Sequence, residues 1–212
     1  MANWCRNTIE VIGKREDLKR FDKQFKKTSE RFTGSTIYVR KENLEDILSM
    51  PECENTENYK ILPVEGSDKV AVIIVDGIET KAGYSYSNFV PMTKEDFLNG
   101  WYDWSIANWG TKWDCDDEVY VTGLEKLNEA GGSDEDICVV YRILSPWTPC
   151  IPVVKEMSKQ YPTLKFIHSF DESGLCYAGF VKFKGGVVIA SEKVSGEDYK
   201  KFSDEDFEKG MF

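Results

Sequence analysis

The sequence predicts an α+β protein in which one antiparallel sheet carries helices on a single face. Segments with alternating apolar residues occur near the start of the chain and again in its last third. Amphipathic helical patterns follow the first strand of each group. The hydrophobic fraction of 41% is sufficient for a packed core, so long disordered regions are not expected.

The first strand is predicted over Trp4–Ile12, where alternate residues are apolar and Gly13 ends the pattern. Residues 15–31 then follow helical spacing, with leucine and phenylalanine on one side and lysines on the other. A second, shorter helix is expected over Asn43–Ser49. The polar stretch 51–68 is interpreted as a connecting loop.

The middle of the chain contains two further strand candidates. Val70–Val75 is a continuous apolar run, typical of a central strand buried on both faces, and Asp76-Gly77 after it indicates a turn. Tyr84–Val90 is the second candidate. Thr93 then caps one tryptophan-rich helix that extends to Gly110.

The last third of the chain has the clearest pattern. Ile137–Leu144 is an apolar strand, and residues 151–161 form a helix with prolines at its start and after its end. Leu164–Phe170 and Leu175–Phe183 alternate as the two strands of a hairpin, and residues 187–190 add an edge strand. The order β-α-β, insertion, β-α-β-β predicts a ferredoxin-like antiparallel sheet with helices on one face and an inserted loop and helix region.

These elements predict a single domain over residues 1–212. Its expected parts are a variable insertion at about 33–82, a Trp-rich helix and loop at 93–114, and an acidic segment at 114–136.

Six cysteines and one histidine provide little metal-binding potential. No C-x-x-C pair occurs, so we expect free thiols, no metal and no cofactor. His168 alternates with Phe166 and Phe170, which indicates a core histidine. No apolar run is long enough to span a bilayer and the N-terminus has no secretory pattern, so a cytoplasmic protein without membrane contact is expected.

Charge is distributed unevenly along the chain. Residues 1–31 hold nine Lys/Arg against five Asp/Glu, whereas residues 113–136 hold nine Asp/Glu against one Lys. Clustered carboxylates can complement a basic protein surface and accelerate association. The predicted partner-binding residues are therefore Asp114, Asp116, Asp117, Glu118, Asp134, Glu135 and Asp136. A merely solubilising acidic loop is the alternative.

The second candidate site is the loop after the tryptophan-rich helix. Its possible ligand-contacting residues are Asn108, Trp109, Thr111, Lys112 and Trp113, in which polar groups lie among indoles that could stack on a ring or a cation. A structural role is favoured, because Trp101, Trp104 and Trp109 at helical spacing would form an ordinary core stripe.

Several short segments also resemble one known family. They are Asn3-Trp4-Cys5-Arg6-Asn7-Thr8, Tyr84–Met92, Trp101-Tyr102-Asp103-Trp104, Asn108–Asp114, and Trp147-Thr148-Pro149 with Pro152, Tyr161-Pro162 and Gly179. Together they resemble the YubB-type ferredoxin-like family of phage and plasmid proteins of unknown activity. The resemblance implies a ferredoxin-like fold and a mobile-element origin, and it brings no catalytic residues.

The leading functional hypothesis is a non-enzymatic protein-interaction module from a phage or mobile element, such as an inhibitor of a host defence protein. It would bind a basic host protein, for example a nucleic-acid-binding one, through the acidic segment. Two alternatives stay open: a small enzyme or ligand-binding domain that uses the Asn108–Asp114 loop, and a nucleic-acid-binding regulator that uses the basic helix 15–31. The net charge of −10 disfavours direct nucleic-acid binding.

Overall fold

The computed structural model describes residues 3–115, 118–128 and 135–199, which form two antiparallel sheets and several helices. The strands are β1 (Trp4–Gly13), β2 (Ser29–Arg40), β3 (Tyr59–Pro63), β4 (Lys69–Lys81), β5 (Tyr120–Thr122), β6 (Ile137–Pro146), β7 (Lys165–Glu172), β8 (Tyr177–Lys184) and β9 (Val187–Ser195). The helices are α1 (Arg15–Phe25), α2 (Leu44–Leu48), α3 (Lys94–Leu98), α4 (Trp101–Asn108), α5 (Glu125–Asn128) and α6 (Ile151–Gln160).

The main sheet has six strands in the order β5-β6-β1-β7-β8-β9. Both β6 and β7 pair with β1 in antiparallel register, so they run parallel to each other and are joined by α6. A strand inserted between two parallel strands joined by a helix is the split β-α-β unit of ferredoxin-like folds. The predicted α+β class is confirmed. The main sheet also contains the strands predicted at Trp4–Ile12, Ile137–Leu144, Leu164–Phe170 and Leu175–Phe183.

Helices α1 and α6 cover one face of this sheet. Phe21 of α1 is fully buried, and its ring lies 5.4 Å from Phe166 and 5.7 Å from Tyr141, measured between ring centroids. Met157 of α6 belongs to the same core. Alternation explains this arrangement, because every second residue of β1 from Cys5 to Gly13 points to the covered face and is buried.

The second sheet has the order β2-β4-β3 and lies between α1 and α3 in the sequence. Val70–Val75 is buried throughout in the middle strand, as predicted. One face of that strand packs against α2 through Val72 and Ile74, and the other packs against Phe97 through Ile73 and Val75. The assignment of both sheets to a single domain with an insertion stays a prediction.

Two predictions around the small sheet are wrong. The helix predicted over 15–31 ends at Phe25, and Ser29–Arg40 is a strand. The loop predicted over 51–68 contains the strand Tyr59–Pro63. Both segments pair with the apolar strand β4, and this tertiary pairing outweighs a local helical or polar pattern.

The turn predicted at Asp76-Gly77 is also wrong. Strand β4 continues to Lys81 because a β-bulge places Asp76 outside the register, where it accepts a 2.8 Å hydrogen bond from Thr33. Tyr84–Val90 is not a strand but a loop with a short 3-10 turn at Tyr86–Asn88.

The tryptophan-rich region forms two helices rather than one. The capping box at Thr93 and Asp96 is present as predicted, but α3 ends after Leu98. Gly100 has φ 124°, a backbone conformation that L side chains rarely adopt, and α4 starts in a new direction. The acidic segment contains β5 and α5, which no apolar pattern predicted.

A small polar cluster lies inside the main core. The amide oxygen of Asn7 lies 2.9 Å from His168 Nε2, and His168 Nε2 lies 3.9 Å from the thiol of Cys150. All three side chains are buried, which confirms the predicted core histidine. Burial lowers the pKa of His168 to about 3 and raises the pKa of Cys150 to about 12, so this thiol and imidazole stay neutral. A cysteine nucleophile needs the opposite shifts.

We expect His168 to make stability depend on pH in a defined window. Between pH 6.5 and 3 the unfolded chain binds a proton at this residue and the folded chain does not. The free energy of unfolding should therefore keep the full contribution of neutral His168 above pH 6.5. Below pH 6.5 it should fall, with a slope that approaches about 1.4 kcal/mol per pH unit. Urea denaturation from pH 7 to pH 5 measures this before most carboxylates titrate, and His168→Gln should flatten the profile. Parallel profiles for the two proteins would contradict the assignment.

Candidate functional site

A pocket of about 460 Å³ opens where the small sheet meets one end of the main sheet. Its walls are β2 and β4, the helices α3 and α4, the loop after α4, and the ends of β1 and β6. Its aromatic lining residues are Trp4, Phe32, Phe97, Trp101, Trp109 and Trp113. The volume falls within the range typical of small-molecule sites.

The loop after α4 is held against the main sheet by its backbone. Gly110 has φ 84°, and a Cβ at this position would lie 2.4 Å from Cδ of Pro152. Thr148 donates a 2.6 Å hydrogen bond to the Gly110 carbonyl, and Thr111 donates one of 3.2 Å to the Pro146 carbonyl. Only glycine allows this close approach, so the loop is seated on the connection between β6 and α6.

Asp114 anchors the end of this loop. Its carboxylate accepts hydrogen bonds from the Ser85 hydroxyl (2.5 Å), the Tyr86 amide (2.5 Å), the Ser87 hydroxyl (3.0 Å) and its neighbour Cys115's amide (2.7 Å). Only 8% of the residue is exposed. A buried carboxylate is tolerated because these donors replace its hydration.

The predicted ligand-loop residues divide into two groups. Asn108 and Thr111 bind backbone carbonyls and do not line the pocket. Trp109, Lys112 and Trp113 line it. Trp109 is buried and donates a 2.9 Å hydrogen bond to the Val90 carbonyl, so it is mainly a core residue. Lys112 and Trp113 are the loop side chains available to a ligand.

The predicted core stripe of tryptophans is correct for Trp109, correct in part for Trp104 and wrong for Trp101. Trp109 is buried, whereas Trp104 is partly buried against it with ring centroids 5.3 Å apart. Trp101 lines the pocket and donates a 3.1 Å hydrogen bond to the Thr36 hydroxyl. The break at Gly100 turns Trp101 toward the small sheet and away from the main core.

Sequence reasoning missed the pocket residues that come from distant strands. Trp4 is 42% exposed and lines the pocket, although the pattern of β1 had marked it only as part of a strand. Arg31 and Glu79 form an ion pair of 2.8 Å on paired positions of β2 and β4. The buried amine of Lys81 donates to the Cys115 carbonyl. The sequence contained one signal for these pocket residues: Trp4 is a large aromatic residue on the side of β1 opposite its buried residues.

The structure describes four of the seven acidic residues predicted to bind a partner, and their surroundings differ. Asp114 is buried and saturated by internal hydrogen bonds, so its predicted role at a surface is wrong. Asp116, Asp117 and Asp134 lie outside the described residues. Glu118 and Glu135 are exposed, and Asp136 lies 3.4 Å from the amine of Lys14. Partner binding by the exposed acids stays a prediction.

Residues 108–211 match a family model described as the ferredoxin-like domain in Api92-like protein. This match begins at the end of α4 and includes β5 to β9, whereas the central strand β1 lies outside it. The fold is similar to the crystal structure of protein api92 from Yersinia pseudotuberculosis, with a TM-score of 0.52 and 10% identity over 92% of this chain and 99% of that chain. At this identity the likeness shows the fold alone. No match was found among the curated proteins.

These comparisons support a ferredoxin-like family of unknown function. The YubB-type name and the phage or plasmid origin stay predictions. Across the described ranges, no helix combines the length and apolar character needed to cross a bilayer, and no group of three or more His, Cys, Asp or Glu residues could hold a metal ion. All six cysteines fall within those ranges, and each is a free thiol.

We expect Asp114 to be required for stability. Asp114→Ala should lower the free energy of unfolding by at least about 3 kcal/mol, because several buried donors lose their acceptor. Glu65→Ala removes an exposed acid and should change it by less than about 0.5 kcal/mol. Chemical denaturation of both variants measures the difference, and equal midpoints would show that the carboxylate does not anchor the loop.

Proposed function

We propose that this protein is a binding protein whose ligand is a small aromatic molecule held in the pocket between its two sheets. The observation that carries the proposal is the exposure of indole rings inside a concave site. Trp113 is 45% exposed and Trp4 is 42% exposed, yet both line the pocket with the partly buried Trp101. Exposed aromatic surface in a cleft with a few polar groups is typical of ligand sites.

Aromatic stacking is the interaction that this lining favours. Indole rings attract other rings in offset or edge-to-face geometry, with about 0.5–1.5 kcal/mol beyond the area that is buried. Phe97 and Trp101 already stack with ring centroids 6.3 Å apart and form one wall. Trp4 and Trp113 line the pocket and keep exposed ring surface that a bound ring could contact.

The polar groups of the pocket favour binding over catalysis. Asp114 uses its oxygens to hold the loop, and Glu79 is paired with Arg31. His168 is the single histidine of the chain and lies in the main core, away from the pocket lining. The acids of the lining that could move a proton are thus largely occupied, which supports a non-enzymatic role.

We expect indole to bind in this pocket and Trp113 to contribute to its affinity. Loss of one stacking ring should weaken binding by about two- to tenfold, the equivalent of about 0.5–1.5 kcal/mol. Ligand-observed NMR titration of wild type and Trp113→Leu with indole gives both dissociation constants. Trp147→Leu is the matched control, because Trp147 is 41% exposed and lies outside the pocket. Equal affinity in wild type and Trp113→Leu, or no binding at all, would end the proposal.

A second candidate function is a protein-interaction module that binds a basic partner through the acidic segment, such as an inhibitor made by a mobile element. Its support is the excess of nine acids over one lysine in residues 113–136, together with the exposure of Glu118 and Glu135. Clustered negative charge would accelerate association with a basic surface.

Charge reversal separates this second candidate from a solubilising role. Asp116, Asp117 and Glu118 changed to Lys should leave stability nearly unchanged but slow association with a partner recovered by pull-down, and reduce its salt dependence. Changing the exposed residues Glu52, Glu54 and Glu57 to Lys alters the net charge equally elsewhere. Stopped-flow association rates at two salt concentrations measure the effect. If both triple variants behave alike, the acidic segment only adds solubility.

A further inference from the structure

We propose that the ligand of the pocket is an aromatic anion, a flat ring that carries a carboxylate or a phosphate. This inference rests on the proposed function and adds the charge of the ligand. The group that determines the charge is Lys112, which lies at the pocket on the loop after α4. Its amine is positioned by rings rather than by an acid.

The amine of Lys112 lies 4.6 Å from the ring centroid of Trp113 and 6.0 Å from that of Trp101. These distances are those of cation–π contacts, which hold an ammonium group over an indole face. Along the part of the chain that the structure describes, no carboxylate lies within ion-pair distance of this amine. The positive charge of Lys112 is therefore held at the pocket without a protein anion beside it.

This arrangement disfavours a cationic ligand. Aromatic clusters often bind ammonium groups, but here Lys112 already occupies the position over Trp101 and Trp113 that such a group would take. A second cation would have to displace the lysine or lie beside it, at an electrostatic cost. An anion gains an ion pair at the same place.

The other charged residues of the lining are two cations, Arg31 and Lys81, and three anions, Glu30, Glu79 and Asp114. Arg31 and Glu79 form an ion pair, and the carboxylate of Asp114 is stabilised by four hydrogen bonds from the loops around it. The buried amine of Lys81 donates to the Cys115 carbonyl. Glu30 is the remaining acid, and because it is exposed its field is screened by solvent.

A ring and an anion can be satisfied together in this geometry. The exposed rings of Trp4 and Trp113 offer faces for stacking, and the amine of Lys112 lies over the ring of Trp113. A ligand that stacks near the opening places a carboxylate or phosphate on a short linker within reach of this amine. The volume of about 460 Å³ accommodates an indole acid or a mononucleotide.

Three probes with one ring and different charges test the inference. Indole-3-acetate is an anion, indole-3-acetamide is neutral and tryptamine is a cation at pH 7. Ligand-observed NMR titrations with the full chain at low salt should give the tightest binding for indole-3-acetate, by about tenfold over tryptamine. Adenosine 5′-monophosphate against adenosine forms a second pair, in which a phosphate replaces the carboxylate.

Variants at Lys112 show whether this residue is the cause. Lys112→Gln should remove the preference for the anion, and Lys112→Arg should restore it. Lys155→Gln, at an exposed lysine of α6, is the control for lost surface charge and should keep the preference. Thermal unfolding of each variant verifies that it is folded.

The outcomes separate this inference from the proposed function. Anion preference in either pair, lost in Lys112→Gln, supports the inference. Equal affinity for all charges, still reduced by Trp113→Leu, keeps the pocket as a ring-binding site but overturns the anionic ligand. No binding by any probe overturns both.

Discussion

The arrangement of the two sheets around the pocket depends on the buried carboxylate of Asp114, which joins the loop after α4 to the turn after β4. Its carboxylate oxygens accept hydrogen bonds from the Ser85–Ser87 turn, which follows β4 of the small sheet. Asp114 itself belongs to the loop after α4, which lies against the main sheet. Both segments are loops and leave backbone donors that burial would otherwise penalise. One buried carboxylate therefore ties the turn after β4 to the loop after α4, beside the pocket that Asp114 itself lines.

The pocket lies between two attachments of the segment that carries α3, α4 and the loop after α4. Helices α3 and α4 attach to the small sheet through Phe97 and the hydrogen bond between Trp101 and Thr36. Asp114 attaches the loop from the other side. Between these two attachments Phe97 and Trp101 stack on each other, whereas Trp4 and Trp113 keep exposed aromatic surface at the pocket. Exposed aromatic surface of this kind is unfavourable in water, and a ligand that covers it gains that free energy.

Local patterns predicted the main sheet well because its strands are strongly alternating and close in sequence to the helices that cover them. The segments from Ile137 to Phe183 form β6, α6, β7 and β8 nearly as the periodicity indicates. Of the small sheet only the middle strand was predicted, because β2 and β3 are partly exposed edge strands, whose pattern depends on their partner β4. The sequence predicted part of the site, because Lys112 and Trp113 lie in one loop. Arg31 and Trp4 come from distant strands and join them only in the folded structure.

The sequence by itself determined the α+β class, the helices on one face of the main sheet and the core position of His168. These features follow from the spacing of apolar residues, which acts over a few turns or strands. Only the tertiary structure decided which tryptophans are core and which face a pocket, and that Asp114 is an anchor rather than a surface acid. The physical reason is that burial of a polar or aromatic side chain depends on partners contributed by distant segments, and their approach is not encoded in local periodicity.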